Sequence, residues 1–73
     1  MQLKINMSYK DKDGNILIPR SHWGDENGGK YAVFEKIKYT NGGTKYEVKH
    51  TTLSLRQIKE AFALGKGEKV ELI

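Results

Sequence analysis

The chain has no cysteine, one proline and only two histidines, and none of its apolar runs approaches the roughly 18 residues that cross a bilayer. Without cysteine there is no disulfide framework, no thiolate metal site and no thiol nucleophile. Two histidines without cysteine, and without a helical His-x-x-x-His spacing, make a poor zinc set, so no metal and no cofactor are expected. The first residues, Met1 to Asn6, lack the apolar stretch of a secretory leader, so cytoplasmic placement and no membrane partner are expected. At 73 residues the chain is read as a single small domain spanning 1–73. Its interior is too small to shift side-chain pKa values far or to hold a deep cleft, and no nucleophile with a base stands out. A non-enzymatic protein is expected.

What the chain does have is positive charge in one place. Thirteen Lys and Arg stand against nine Asp and Glu, a formal net of +4. Residues 1–29 are balanced, with four groups of each sign, and residues 60–73 carry two basic and three acidic groups. Residues 30–59 hold seven basic groups against two acidic ones, net +5, so any electrostatic partner has to meet that segment.

Alternation locates the strands. Leu3, Ile5, Met7 and Tyr9 fall on one side of an extended Gln2–Lys10, which predicts a nine-residue strand. The turn formers 11–15 (Asp-Lys-Asp-Gly-Asn) join it to a short Ile16-Leu17-Ile18 strand that Pro19 ends. Residues 20–29, with three glycines and no period, read as a loop of about ten residues. A strand over 30–40 and another over 45–52, joined by 41–44 (Asn-Gly-Gly-Thr), form the clearest hairpin. A turn on Gly42-Gly43 sets Tyr39 opposite Tyr46, Ile37 opposite Val48, Glu35 opposite His50, Lys38 opposite Glu47 and Phe34 opposite Thr51, while a turn on Asn41-Gly42 changes the partners and keeps the same two faces.

Ser54 with Gln57 makes a capping box, and Leu53 with Ile58 a hydrophobic staple, so a helix of about ten residues starts at 55 and ends before Gly65. Residues 68–73 read as a last strand with Val70 and Leu72 inward. The fold class is α+β: a mostly antiparallel sheet of four to five strands with one helix on one face, order ββββαβ. The helix is expected to cover the face bearing Tyr31, Val33, Ile37, Tyr39, Tyr46 and Val48, leaving the other face open.

Several motifs dissolve on inspection. The Asp11–Asn15 stretch begins like a calcium loop, but glycine falls fourth instead of sixth and position twelve is His22 where a bidentate Glu is needed. Gly65-Lys66-Gly67 follows a helix C-terminus, where the dipole repels phosphate. His50 opposite Glu35 reads as a polar contact at the core edge more readily than as a catalytic dyad.

Two surfaces remain. On the face expected to be open stand Lys36, Lys38, Lys45 and Lys49 around the aromatic Phe34, with Lys30 near the strand start. Lysines there neutralise phosphates and Phe34 would stack or wedge against bases, although Lys-rich solvated faces are also ordinary on sheets and Glu47 lies among them. His22-Trp23 in the long loop is either a lid over a core edge or an anchor for a protein partner. The order of basic hairpin then capped helix, about residues 30–64, is similar in outline to the small sheet-plus-helix DNA-binding modules at the amino termini of tyrosine recombinases. That resemblance implies DNA contact and carries no residue assignment. Nucleic acid is thus the first expected partner, an acidic protein surface the second, and a homodimer through a sheet edge a third arrangement. The Lys/Asn/Ile-rich style also suits a phage or mobile-element protein.

Overall fold

In the computed structural model residues 1–73 are described, apart from the side chain of Asn41. Two short strands, β1 (Gln2–Leu3) and β2 (Tyr9–Lys10), precede two long ones, β3 (Ile16–Gly24) and β4 (Lys30–Thr40). A 3₁₀ turn over Asn41–Gly43 leads to β5 (Lys45–Ser54), then helix α1 (Leu55–Ala61) and β6 (Glu71–Leu72). Strands β2-β3-β4-β5 form one antiparallel sheet in chain order, and β1 pairs with β6 in a small parallel sheet. The α+β class is as the pattern predicts.

The predicted first strand is interrupted. Asn6 adopts φ 68 and Met7 N–H donates to the Lys4 carbonyl, so the backbone turns where alternation alone runs straight on. Asn is among the few residues that adopt this left-handed conformation readily. The break lets Leu3 enter the core beside β6 while Met7 stays exposed. Chain ends meet here: Ile73 N–H donates to the Leu3 carbonyl at 2.9 Å and Glu71 N–H to the Met1 carbonyl at 2.9 Å.

Pro19 does not end β3, and the ten-residue loop shrinks to five residues. The register shifts between Pro19 and Ser21, leaving Arg20 as the extra residue of a bulge, after which Ser21 to Gly24 pair with Val33 to Lys30. The Pro19 carbonyl accepts from Asn6 N–H, so the side of β3 where proline lacks a donor is the one β2 has already left. Arg20 spans this irregularity, donating from Nε to Glu35 Oε2 (2.9 Å) and from Nη1 to Asn6 Oδ1 (2.9 Å). The two polar turns share one device. Asp11 Oδ1 accepts from the N–H groups of Asp13 and Asn15, and Asp25 Oδ1 from those of Asn27 and Gly29. At Gly29 a Cβ would lie 2.6 Å from the Asp25 carboxylate, so a larger residue there would have to displace that side chain.

The face assignment is inverted relative to expectation. Helix α1 packs on the side carrying Ala32, Phe34 and Leu53, where Leu3, Leu17, Ala32, Phe34 and Ile58 form the buried cluster. The side with Tyr31, Val33, Ile37, Tyr39, Tyr46 and Val48 is the uncovered one. The staple explains this. Leu53 immediately precedes the Ser54 cap, and its contact with Ile58 one turn later drops the helix on the face Leu53 already occupies. Counting apolar positions along the whole of β4 instead weights the distal half, which reaches past the helix. The helix also ends early: Phe62 is the C-cap, and Ala63 (φ 53) takes the left-handed position expected further along at Gly65. Leu64 N–H to the Lys59 carbonyl and Ala63 N–H to the Glu60 carbonyl complete a Schellman closure.

Candidate nucleic-acid interface

Strands β4 and β5 pair over ten consecutive registers, from Tyr31↔Ser54 to Thr40↔Lys45, without a bulge. Only the proximal half lies under α1. Strand β3 pairs β4 as far as Ile37, so Lys36 and Lys49 stand in the wider sheet and the chain runs on as a two-stranded tip from Lys38 and Glu47 outward, in keeping with overall extents of 42 × 23 × 17 Å. Gly42 (φ 67) and Gly43 (φ 91) turn the tip, and the cross-strand partners are those the Gly42-Gly43 register predicts.

One face of this arm is lysine. Side chains two apart on a strand share a face, so Lys36 and Lys38 on β4 and Lys45 and Lys49 on β5 project to the same side. Lys36, Lys38, Glu47 and Lys49 line a shallow concavity of about 140 Å³. Across the ladder Lys38 meets Glu47, but Lys36 meets Lys49, two like charges directly opposed with Cβ atoms about 5 Å apart. Among the described residues the ion pairs are Arg20–Glu35 and Arg56–Glu60, so Glu47 neutralises no lysine by direct contact. Lys36 and Lys49 also border a second hollow, about 330 Å³, at the junction with Asp11, Gln57 and the start of the covered half.

Three expected site residues are placed differently. Phe34 shares the lysine face by register, yet it is 0% exposed under the helix and cannot stack on a base; it is the centre of the core. Lys30 sits at the opposite end of β4, six residues or about 20 Å from Lys36, and joins His22, Trp23 and Leu72 around a separate hollow of about 170 Å³. Trp23 belongs to β3, not to a loop; its ring stacks on Tyr31 with centroids 5.8 Å apart and remains 45% exposed on the uncovered face.

The exposed aromatics of the arm are Tyr39 (54%) and Tyr46 (67%), paired 6.3 Å apart on the face opposite the lysines. Alternation along the strands places both on the expected core face, so their exposure is a correction. Glu35, on the same side, is held by Arg20 and not by His50. Among the described residues no three His, Asp or Glu side chains gather into a metal set. No helix is long and apolar enough to cross a membrane.

The fold and this arm define the chain as a small α+β protein with a basic β-ribbon. No family model, curated protein or solved structure matches it.

Proposed function

We propose that the protein is a small non-enzymatic module that contacts nucleic acid through the lysine face of the β4–β5 arm. The observation that carries this reading is the direct opposition of Lys36 and Lys49, with Lys38 and Lys45 on the same face and Glu47 as the one acidic group among them. A folded protein gains nothing from such a pair in water, whereas a phosphate bridging the two ammonium groups turns repulsion into attraction. The tip beyond Ile37, which carries Lys38 and Lys45, is two-stranded and narrow enough to enter the major groove of a duplex, while Lys36 and Lys49 stand behind it on the wider sheet. Contacts from lysine carry little sequence information, so binding is nearly sequence-independent.

Fluorescence anisotropy with labelled single-stranded and duplex oligonucleotides at two salt concentrations tests this. Four phosphates neutralised predict a slope of log K against log salt of about −3 to −4. Replacing Lys36 and Lys38 together with Glu abolishes binding. Failure of both oligonucleotides to bind more tightly than about 10⁻⁴ M at low salt overturns the reading.

A second reading, a protein-interaction module, is favoured by the uncovered face, where the Trp23–Tyr31 stack adjoins Val33, Ile37, Tyr39 and Tyr46. The Arg20–Glu35 ion pair divides this face, leaving exposed aromatics on either side of it, and exposed aromatic groups of that kind serve as partner anchors. Here Trp23→Ala lowers partner recovery while leaving oligonucleotide affinity unchanged.

A further inference from the structure

We propose that β5 is the seam of a symmetric dimer, in which two copies of this chain pair edge to edge and antiparallel about a two-fold axis at Val48. Strand β5 is the last strand of its sheet, ten residues long, paired to β4 throughout without a bulge, and Lys45 to His50 are all exposed. Natural proteins blunt such an edge with bulges, proline or charged side chains, lysine above all. This edge has neither bulge nor proline, and its charges alternate in sign: Lys45, Glu47 and Lys49 project from one face.

That alternation selects a register. A two-fold axis perpendicular to a sheet keeps each face on its own side, so only residues of the same face can oppose each other. With the axis at Val48, Glu47 of each copy faces Lys49 of the other, Tyr46 faces His50, and Lys45 faces Thr51, seven residues in step. Moving the axis to Glu47 sets Glu47 against itself and Lys45 against Lys49. Moving it to Lys49 sets Lys49 against itself. An axis at Tyr46 pairs Glu47 with Lys45 but runs the strand end into the hairpin turn, and one at His50 pairs no opposite charges. Val48 is therefore the axis at which charge, face and length agree.

The four-stranded rows then read Lys36, Lys49, Glu47 of the second copy and Lys38 of the second copy. Each Lys49 gains a counter-charge, and the combined face stays basic. This does not depend on nucleic-acid binding, and it is measured without nucleic acid. The seam is small, so its dissociation constant falls at or above the micromolar range.

Sedimentation velocity of the full chain, up to about 1 mM, shows a monomer–dimer equilibrium. Glu47→Lys and Lys49→Glu each weaken it about tenfold or more, by placing like charges opposite one another twice. The double swap, Glu47→Lys with Lys49→Glu, restores it to within about threefold of the starting chain. The chain has no cysteine, so engineered thiols report without background. Val48→Cys crosslinks to its own copy under mild oxidation, because directly opposed residues lie within disulfide reach. Lys45→Cys, about 20 Å from its copy in this register, does not. A monomer at every concentration overturns the proposal. So does a dimer that neither Glu47→Lys nor Lys49→Glu alone weakens, or one in which both thiols crosslink equally.

Discussion

The two halves of the β4–β5 ribbon are continuous in backbone and opposite in fate. In the proximal half Ala32 and Phe34 are fully buried under Ile58, and Leu53 packs beside them. In the distal half the same strands, in the same unbroken register, leave every residue from Lys45 to His50 exposed. Strand propensity and cross-strand pairing are alike in both. What differs is the seven-residue helix, which reaches only the first half. Sheet formation and core formation are therefore separate events here: the ladder extends as far as the hairpin allows, while burial extends only as far as α1. The distal half leaves Tyr39, Tyr46, Lys38, Lys45 and Lys49 exposed, with Lys36 half-buried at its base.

The largest way to break the comparison is Phe34→Ala. Truncating a fully buried phenylalanine costs about 3–5 kcal/mol, comparable to the whole stability of a chain this size. Chemical denaturation followed by circular dichroism should find the variant largely unfolded at 25 °C. Tyr46→Ala, a similar truncation in the distal half, costs less than about 1 kcal/mol, the worth of one exposed cross-strand aromatic pair. Comparable losses from the two would mean that the arm is packed against something.

Smaller changes sharpen the role of the helix. Ser54 Oγ accepts from Gln57 N–H at 3.3 Å, and Gln57 Oε1 accepts from Ser54 N–H at 2.9 Å. Losing the cap through Ser54→Ala costs about 1 kcal/mol, read as a fall in melting temperature of roughly 4–8 °C. Ala63→Gly acts in the other direction. Ala63 holds φ 53 at the Schellman position, where glycine is unstrained, so the substitution raises stability by about 0.5–1 kcal/mol. Both effects leave oligonucleotide binding by the arm unchanged.

The legibility of the chain divides along the same line. Strand order, the hairpin register, the capping box and the staple were readable because each is a local signal between residues close in sequence. The break at Asn6 and the bulge at Arg20 were hidden, because both are made by long-range contacts: Asn6 N–H reaches the Pro19 carbonyl, and Arg20 reaches Glu35. The buried face was readable in principle. Leu53 and Ile58 name it, whereas the apolar positions along β4 and β5, weighted by the distal Ile37, Tyr39, Tyr46 and Val48, point to the other face. Register alone groups Lys36, Lys38, Lys45 and Lys49 on one face, but that face is the one α1 packs against and not the open one. Phe34 lost its expected role with it, because that role depended on which face was covered.

Lys36→Gln is the finest probe of the distal half, because stability and binding move in opposite directions. Lys36 opposes Lys49 across the ladder, and glutamine keeps most of the aliphatic stem while removing one of the two charges. Relief of the repulsion raises folding stability by about 0.2–1 kcal/mol. The same change weakens oligonucleotide binding evenly across sequences and makes the salt slope shallower by about one unit, since one phosphate contact is lost. Dimerisation at β5 is unaffected, because the Glu47–Lys49 pairs of the seam do not include Lys36. A surface lysine with only a solvating role moves neither binding nor salt slope. Gain of stability with loss of affinity is thus the signature of a charge kept for a ligand.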